Sequence, residues 1–240
     1  LQGTQATLEQ QEALMDEIVR SDAAKRLILS SDSFLGVPDW MFQDGSFYKN
    51  AGPNTTKLRN LFPDNPCEFF LSIRNPSSFI PEALDKPTSE NFRKFLDVVN
   101  FETVLWSDVI RRIQEVNPGC PITVWCYEDT PIVWPTVLRQ ITNTDHTVPF
   151  SGDLDVIQDI MRPEGLVLLK QYLEDRPDYT ERQHHRIKTI FLEKFVIEDT
   201  TEVEASIPNW TQDTVDDVTE IYERDVALIE TMPGVTMISI

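Results

Sequence analysis

The sequence predicts an α/β protein: a three-layer α/β/α domain with a mostly parallel sheet. Short apolar runs near residues 27–31, 68–73, 121–127 and 235–240 have the length of buried strands. Segments with apolar residues at helical spacing separate these runs, and this alternation is typical of parallel sheets. The 240 residues, 40% of them hydrophobic, suffice for one large domain or two small ones. We take residues 1–240 as a single domain.

The first predicted strand is preceded by a helix and followed by a carboxylate. Leu8, Leu14 and Ile18 give residues 7–21 one apolar helical face. Asp32 comes just after the apolar run, at the carboxyl end of the predicted strand. In open parallel sheets this edge carries the ligands, so Asp32 is a candidate catalytic residue. The alternative is that Asp32 only closes a turn or caps a helix.

The second predicted strand leads into the stretch around which the chain is organised, CEFFLSIRNPSSFIPE. Arg74 ends the strand, Asn75 is a helix cap, and Pro76 is a first-turn proline. The guanidinium, the first helical N–H groups and the hydroxyls of Ser77 and Ser78 therefore predict a phosphate site. The alternative is that Asn75 only caps the helix and Arg74 pairs with a carboxylate.

Two acids follow the third predicted strand. Glu128 and Asp129 come just before a helix that begins near Pro131. Such a pair can bind a metal or accept a proton, and it can equally complement the positive end of the following helix. The sequence leaves both interpretations open.

The predicted helix over residues 180–196 opens with a capping box, Thr180 and Gln183, and holds the densest positive cluster. One stripe of this helix, with two lysines beside it, gives a local positive field for an anionic ligand: Arg182, His185, Arg186 and Thr189, flanked by Lys188 and Lys194. The alternative is an ordinary solvated face. Because His184 and His185 are adjacent, they point in different directions, which argues against a two-histidine metal site.

A loop over residues 37–53 is rich in aromatic and turn residues. Trp40, Phe42, Phe47 and Tyr48 lie in it. It is a candidate lining for an acceptor pocket, or else a packed surface loop whose rings belong to the core.

Composition excludes several classes of partner. The 40 acidic residues outnumber the 21 Lys and Arg, so the net charge of −19 repels nucleic acid and anionic membranes. The chain has no apolar run of membrane-spanning length and no leader pattern. The three cysteines match no zinc spacing, and they suit a reducing compartment. We therefore expect a soluble cytoplasmic protein without a metal.

Glycine spacing excludes the common phosphate loops within this sequence. The two nearest glycines are Gly45 and Gly52, too far apart for G-x-x-x-x-G-K-[ST], G-x-G-x-x-G or G-x-S-x-G. The chain also opens at Leu1 without a methionine. We expect a first strand and any phosphate loop to precede Leu1.

Four segments, taken in order, give the chain a family resemblance: LILSSDSF, FFLSIRNPSSFIP, ITVWCYEDTPIVWP and IYERDVALIETMPGV. The chain resembles the sulfotransferase-like proteins of bacteria, a branch of the P-loop nucleoside-triphosphatase fold. The resemblance is diffuse over most of the chain. Its most specific element is the strand that ends in Arg-Asn-Pro before a helix.

The resemblance implies a donor, 3'-phosphoadenosine 5'-phosphosulfate, whose 3'-phosphate Arg74 would contact. The family usually adds a serine eight residues after this arginine, where this chain has Glu82, so Ser77 or Ser78 would take its place. Asp32 would be the general base for transfer to a hydroxyl or amine of a small molecule or glycan. No metal is implied.

Two alternatives stay open at this point. One is a nucleotide-binding or protein-interaction module that has lost transfer chemistry, which Glu82 and the high negative charge favour. The other is a nucleotide kinase, which requires a Walker loop upstream of Leu1 and metal-binding acids such as Asp129. The sequence does not determine the oligomeric state.

Overall fold

Three short strands form the sheet of this protein, whose structure is a computed structural model describing residues 4–21, 23–85, 99–145, 148, 150–197 and 210–240. The strands are β1 (Phe69–Ile73), β2 (Ile122–Cys126) and β3 (Val235–Ile238), in the order β1-β2-β3.

The sheet is parallel, because hydrogen bonds join the starts of neighbouring strands. Phe69 N–H donates to Pro121 O at 2.9 Å, and Ile122 N–H donates to Gly234 O at 3.1 Å. β2 is the central strand and its first four residues are buried, as expected for a strand covered on both faces. The predicted α/β class and parallel sheet are confirmed.

The predicted strand over residues 27–31 is wrong. This segment belongs to no strand, and residues 23–33 are exposed, with Ile28 at 49% of its full accessibility. An apolar run of this length fits a strand, but a strand also needs a neighbour for its backbone N–H and C=O groups. The last strand was predicted to be buried, yet only Ile238 of β3 is.

The helices outnumber the strands. Their bounds are α1 Leu8–Ile18, α2 Ala51–Arg59, α3 Pro76–Asp85, α4 Trp106–Val116, α5 Thr130–Thr142, α6 Asp155–Ile160, α7 Pro163–Glu174, α8 Glu181–Phe195 and α9 Gln212–Glu230. Short 3-10 turns lie at Pro38–Trp40, Gln43–Gly45, Phe101–Thr103 and Tyr127–Asp129. Apolar residues at helical spacing, among them Phe92, Phe95 and Val99, also predict a helix over residues 89–99. This segment lies outside the described residues, apart from its last position.

Local signals set several helix starts. α3 begins at Pro76, which the sequence predicts as a first-turn proline. α7 begins at Pro163, where the sequence also predicts the start of a helix. The predicted capping box of α8 is present, since Gln183 N–H donates to Thr180 Oγ1 at 3.3 Å and Thr180 N–H donates to Gln183 Oε1 at 2.8 Å.

The chain divides into two compact units, each described by itself. The first unit comprises Leu1–Phe70, Pro76–Thr123 and Ile207–Thr236, and the second comprises Leu71–Asn75, Val124–Ser206 and Met237–Ile240.

In the first unit, one face of α4 supplies much of the core. Val109, Ile110 and Ile113 are buried at helical spacing. The start of α4 is held by Asp225 of α9, whose Oδ2 accepts from Ser107 N–H at 3.1 Å. Because the first N–H groups of a helix have no partner within it, this buried carboxylate replaces a local cap.

In the second unit, α6, α7 and α8 surround an apolar cluster formed by Ile157, Met161, Leu166 and Leu169. The helices pack closely at Gly165, where a Cβ would lie 2.4 Å from Phe195 Cβ. This approach requires a residue without a side chain.

Candidate functional site

The carboxyl edge of the sheet places Arg74 beside an aromatic ring. Arg74 follows directly on β1, and its guanidinium carbon lies 4.6 Å from the ring centroid of Tyr127, in the turn after β2. Because parallel neighbours end at the same edge, these two residues meet although they are as far apart in the chain as Asn75 and Glu128, 53 positions. The stacking orients the guanidinium plane, whose N–H donors all lie at its rim.

A carboxylate of the protein reaches the same edge. Glu128 Oε1 accepts from Asn75 N–H at 2.8 Å. A carboxylate oxygen therefore already accepts a hydrogen bond from the backbone N–H next to Arg74, at the point where the sequence predicts contact with a phosphate. This position attracts anionic oxygen, and Glu128 supplies it from within the chain.

Asp129 is half-buried and makes no side-chain hydrogen bond to the start of α5. Asp129 thus occupies the N-cap position of α5 without the hydrogen bond of a cap, and the interpretation that it complements the positive end of this helix stays open. Burial raises the pKa of the Asp129 carboxyl above its usual value, and the neighbouring Glu128 raises it further. A carboxylate with a raised pKa is a better proton acceptor than an ordinary exposed one.

Ser77 and Ser78 lie in the first turn of α3, as predicted. Ser77 Oγ shares a hydrogen bond with Thr219 Oγ1 of α9 at 3.3 Å, within the first unit. Glu82, eight residues after Arg74, is half-buried on the same helix.

Asp32 does not stand at the end of a strand. It lies in an exposed turn, where its Oδ1 accepts from Ser33 Oγ at 2.7 Å and Ser33 N–H donates to Ser31 Oγ at 3.1 Å. The structural premise for Asp32 as a catalytic base, a strand over residues 27–31, is therefore absent. Its geometry is that of a local serine and aspartate turn.

The aromatic loop belongs largely to the core of the first unit. Phe42 and Phe47 are buried, and the ring of Phe47 packs edge-on to Trp106 with centroids 4.9 Å apart. Burial raises the pKa of Tyr48 to about 12. Trp40, in contrast, is 65% exposed. The packed-loop alternative therefore describes this segment.

The predicted positive cluster of α8 divides between buried and exposed residues. Lys188 is 3% exposed and His185 is buried, whereas Arg182 and Arg186 are exposed. Lys188 Nζ donates to Ile132 O of α5 at 3.3 Å.

Three polar atoms around Lys188 are buried without a hydrogen-bonding partner in the described structure: Arg139 Nε, Asp153 Oδ1 and His184 Nε2. Arg139 and Asp153 form a loose ion pair of 3.7 Å between Nη2 and Oδ2. Burial lowers the pKa of His184, and Lys188 and Arg139 lower it further. Arg139, Asp153 and His184 lie on separate elements, so helical spacing links only His184 and Lys188, four residues apart on α8.

Within the described ranges, no helix is both long and apolar enough to cross a membrane. The same residues contain no group of three or more His, Cys, Asp or Glu side chains that would hold a metal ion.

The chain matches no protein-family model, no curated protein and no solved structure significantly.

Proposed function

We propose that the chain is a sulfotransferase-like protein in which Arg74 binds the 3'-phosphate of 3'-phosphoadenosine 5'-phosphosulfate. The observation that carries this proposal is the position of Arg74 at the carboxyl end of β1, with its guanidinium against Tyr127. This edge is where ligands bind in open parallel sheets. The finer fold, a three-layer sheet of the P-loop class, is part of the same proposal.

The stacked geometry suits an anionic ligand. The ring of Tyr127 takes one face of the guanidinium, whereas hydrogen bonds to phosphate form at the guanidinium edge. Tyr127 is itself about half exposed, so the edge of the sheet is accessible to solvent.

The proposed reaction moves a sulfuryl group in line from the donor to a hydroxyl or amine. The bond between sulfur and the bridging phosphate oxygen breaks, a new bond forms from sulfur to the acceptor, and the acceptor proton passes to a carboxylate. The sequence assigns that carboxylate to Asp32, which stays a prediction. Asp129 is a second candidate, because it follows β2 in the same unit as Arg74 and has a raised pKa.

Titration calorimetry with adenosine 3',5'-bisphosphate tests the donor site, with adenosine 5'-phosphate as the ligand lacking the 3'-phosphate. We expect Arg74→Ala to weaken binding of the bisphosphate about 10- to 100-fold, the loss of a charge-assisted contact. Binding of the 5'-phosphate should change little. Arg111→Ala is the matched control, because Arg111 lies exposed on α4.

An unchanged affinity in Arg74→Ala, or no binding by the natural chain at millimolar ligand, contradicts the proposed donor site. Ser77→Ala and Ser78→Ala extend the test to the hydroxyls that the sequence singles out. Loss of binding in either variant supports its predicted contact with the phosphate.

The position of Asp32 favours a second function, that of a nucleotide-binding module, because Asp32 lies in an exposed turn rather than at a sheet edge. Without a general base near the donor, the chain would bind the nucleotide but would not transfer the sulfuryl group. Incubation with radiolabelled donor and a panel of phenols, amines and sugars separates the two functions. Binding without labelled product supports a nucleotide-binding module.

Glu128 is expected to compete with the incoming anion. Glu128→Gln keeps an oxygen that accepts from Asn75 N–H and removes the negative charge. We therefore expect this variant to bind adenosine 3',5'-bisphosphate about three- to fivefold more tightly, as for the loss of one partly screened like charge. Glu115→Gln, exposed on α4, is the control. Weaker binding in Glu128→Gln, or equal gains in both variants, would show that Glu128 does not oppose the ligand.

A further inference from the structure

An open groove of about 450 Å³ lies along the hairpin of α7 and α8, in the second unit. Its lining is mainly apolar and includes the rings of Tyr172, Phe191 and Phe195. Leu168 and Ile190 also line it, and each keeps about half of its accessible surface in contact with solvent. A groove of this size and composition falls within the range of small-molecule sites.

The two helices that form the groove are fixed against each other. Arg162 N–H donates to Phe195 O at 2.8 Å, and Met161 forms an antiparallel bridge with Val196. Gly165 permits the close approach of Phe195 described above. The start of α7 is thus held against the end of α8, so the groove is already formed before any ligand binds.

Two cations in the groove stack on its aromatic rings. The guanidinium carbon of Arg176 lies 3.8 Å from the ring centroid of Tyr172, and Arg176 Nη1 donates to Tyr172 O at 3.2 Å. Lys194 Nζ lies 5.3 Å from the ring centroid of Phe195.

Within the described part of the chain, neither Arg176 nor Lys194 has a carboxylate at ion-pair distance. Asp175 is the one acid on the lining, so the groove carries a net positive charge while the chain carries −19. The charge of the groove favours an anion over a second copy of this chain.

The cations lie toward opposite ends of the groove. Arg176 follows the end of α7, whereas Lys194 lies in the last turn of α8, which packs against the start of α7. The 12 residues of α7 rise about 18 Å in all, which sets the scale of the separation between the two charges.

We propose that this groove binds an elongated apolar molecule with an anionic group at each end, of the class of long-chain dicarboxylates. The apolar chain lies on the aromatic lining, and the two carboxylates contact Arg176 and Lys194. This site is distinct in residues from the donor site at Arg74, and it stands whether or not that proposal holds.

Titration calorimetry at low ionic strength with dodecanedioate tests the proposal. Dodecanoate carries the same chain with one carboxylate, and dodecane-1,12-diol carries none. We expect the dicarboxylate to bind about tenfold more tightly than the diol, with dodecanoate between them, since each exposed ion pair contributes a few-fold in affinity. Equal affinity for the dicarboxylate and the diol would overturn the proposal.

Variants assign the two ends of the ligand. Arg176→Gln and Lys194→Gln should each lower dodecanedioate affinity about three- to fivefold and lower that of the diol little. Lys170→Gln, exposed on α7 and outside the groove, is the matched control. If Arg176→Gln unfolds the hairpin, as circular dichroism would reveal, Lys194→Gln still carries the test.

The same loss in all three variants would indicate a general effect of charge and overturn the site. Sedimentation velocity on the natural chain tests whether a second copy of the chain, rather than a small molecule, fills the groove. A dimer that Leu168→Glu dissociates would show that a second copy fills the groove, and this too would overturn the proposal.

Discussion

Replacing Gly52 with alanine is expected to destabilise the first unit by about 2 kcal/mol. A Cβ at this position would lie 2.6 Å from Arg112 O and 3.0 Å from Val116 Cγ2, both on α4. Backbone cannot rotate away as a side-chain end can, so α2 and α4 must separate. We take about 3 kcal/mol for this overpacking and subtract about 1 kcal/mol for the better helix propensity of alanine.

The separation also disturbs a buried hydrogen-bond network between α2 and the end of α4. Thr55 Oγ1 donates to Ala51 O at 2.8 Å and accepts from Asn117 Nδ2 at 3.0 Å. Asn117 is buried at the C-terminal end of α4, where its Nδ2 also donates to Ile113 O at 2.9 Å. Loss of these contacts leaves polar groups unpaired, which adds to the cost.

Thermal unfolding followed by circular dichroism checks this prediction, with an expected decrease in Tm of about 4–8 °C. Gly152→Ala is the matched control, because its Cβ would meet only the carboxylate end of Asp155, which can move. A Gly52→Ala protein with the same Tm as the natural chain would contradict the close packing of α2 on α4.

Replacing Lys188 with methionine is expected to stabilise the second unit by about 2 kcal/mol at pH 7. Burial lowers the pKa of Lys188 to about 8, and Arg139 opposes the charge while Asp153 favours it. A pKa lowered from 10.5 to about 8 costs about 3 kcal/mol of stability while the amine is charged. The lost bond to Ile132 O offsets about 1 kcal/mol of the gain.

The pH dependence has a definite sign. Between pH 8 and 10.5 the unfolded chain binds a proton at Lys188 that the folded chain has released, so stability rises with pH in this window. Other groups facing Lys188 are His184, His185 and Glu181. In the natural chain we expect Lys188 to raise the urea midpoint between pH 8 and pH 10.5. The Lys188→Met variant should lack this part of the increase.

Lys170→Met is the control, because Lys170 is exposed on α7. It should leave the urea midpoints and their pH dependence nearly unchanged. Equal pH dependence in Lys188→Met and the natural chain would show that folding does not lower the pKa of Lys188. A lower midpoint at pH 7 in Lys188→Met would show that the buried ammonium stabilises the fold. If Lys188→Met is more stable than the natural chain, then Lys188 reduces the stability of the fold. Residues with functional roles often have this effect.

Short-range chemistry made some elements predictable. The start of α3 at Pro76, the capping box at Thr180 and the buried strand β2 each depend on residues within a few positions of one another. The position of Arg74 after β1 follows from the same local pattern.

Contacts between distant residues decided the rest. Residues 27–31 carry a strand-like pattern, but they pair with no strand in the part of the chain that the structure describes. Asp32 therefore does not lie at a sheet edge as predicted. Glu128 reaches Asn75 across 53 positions, and Lys188 reaches Ile132 across 56. Composition and periodicity determined the α/β class, the net negative charge and several helix starts, because these depend on composition or on near neighbours. Only the tertiary structure decided which charges are buried and which meet, because burial and pairing depend on elements that the chain brings together after they form.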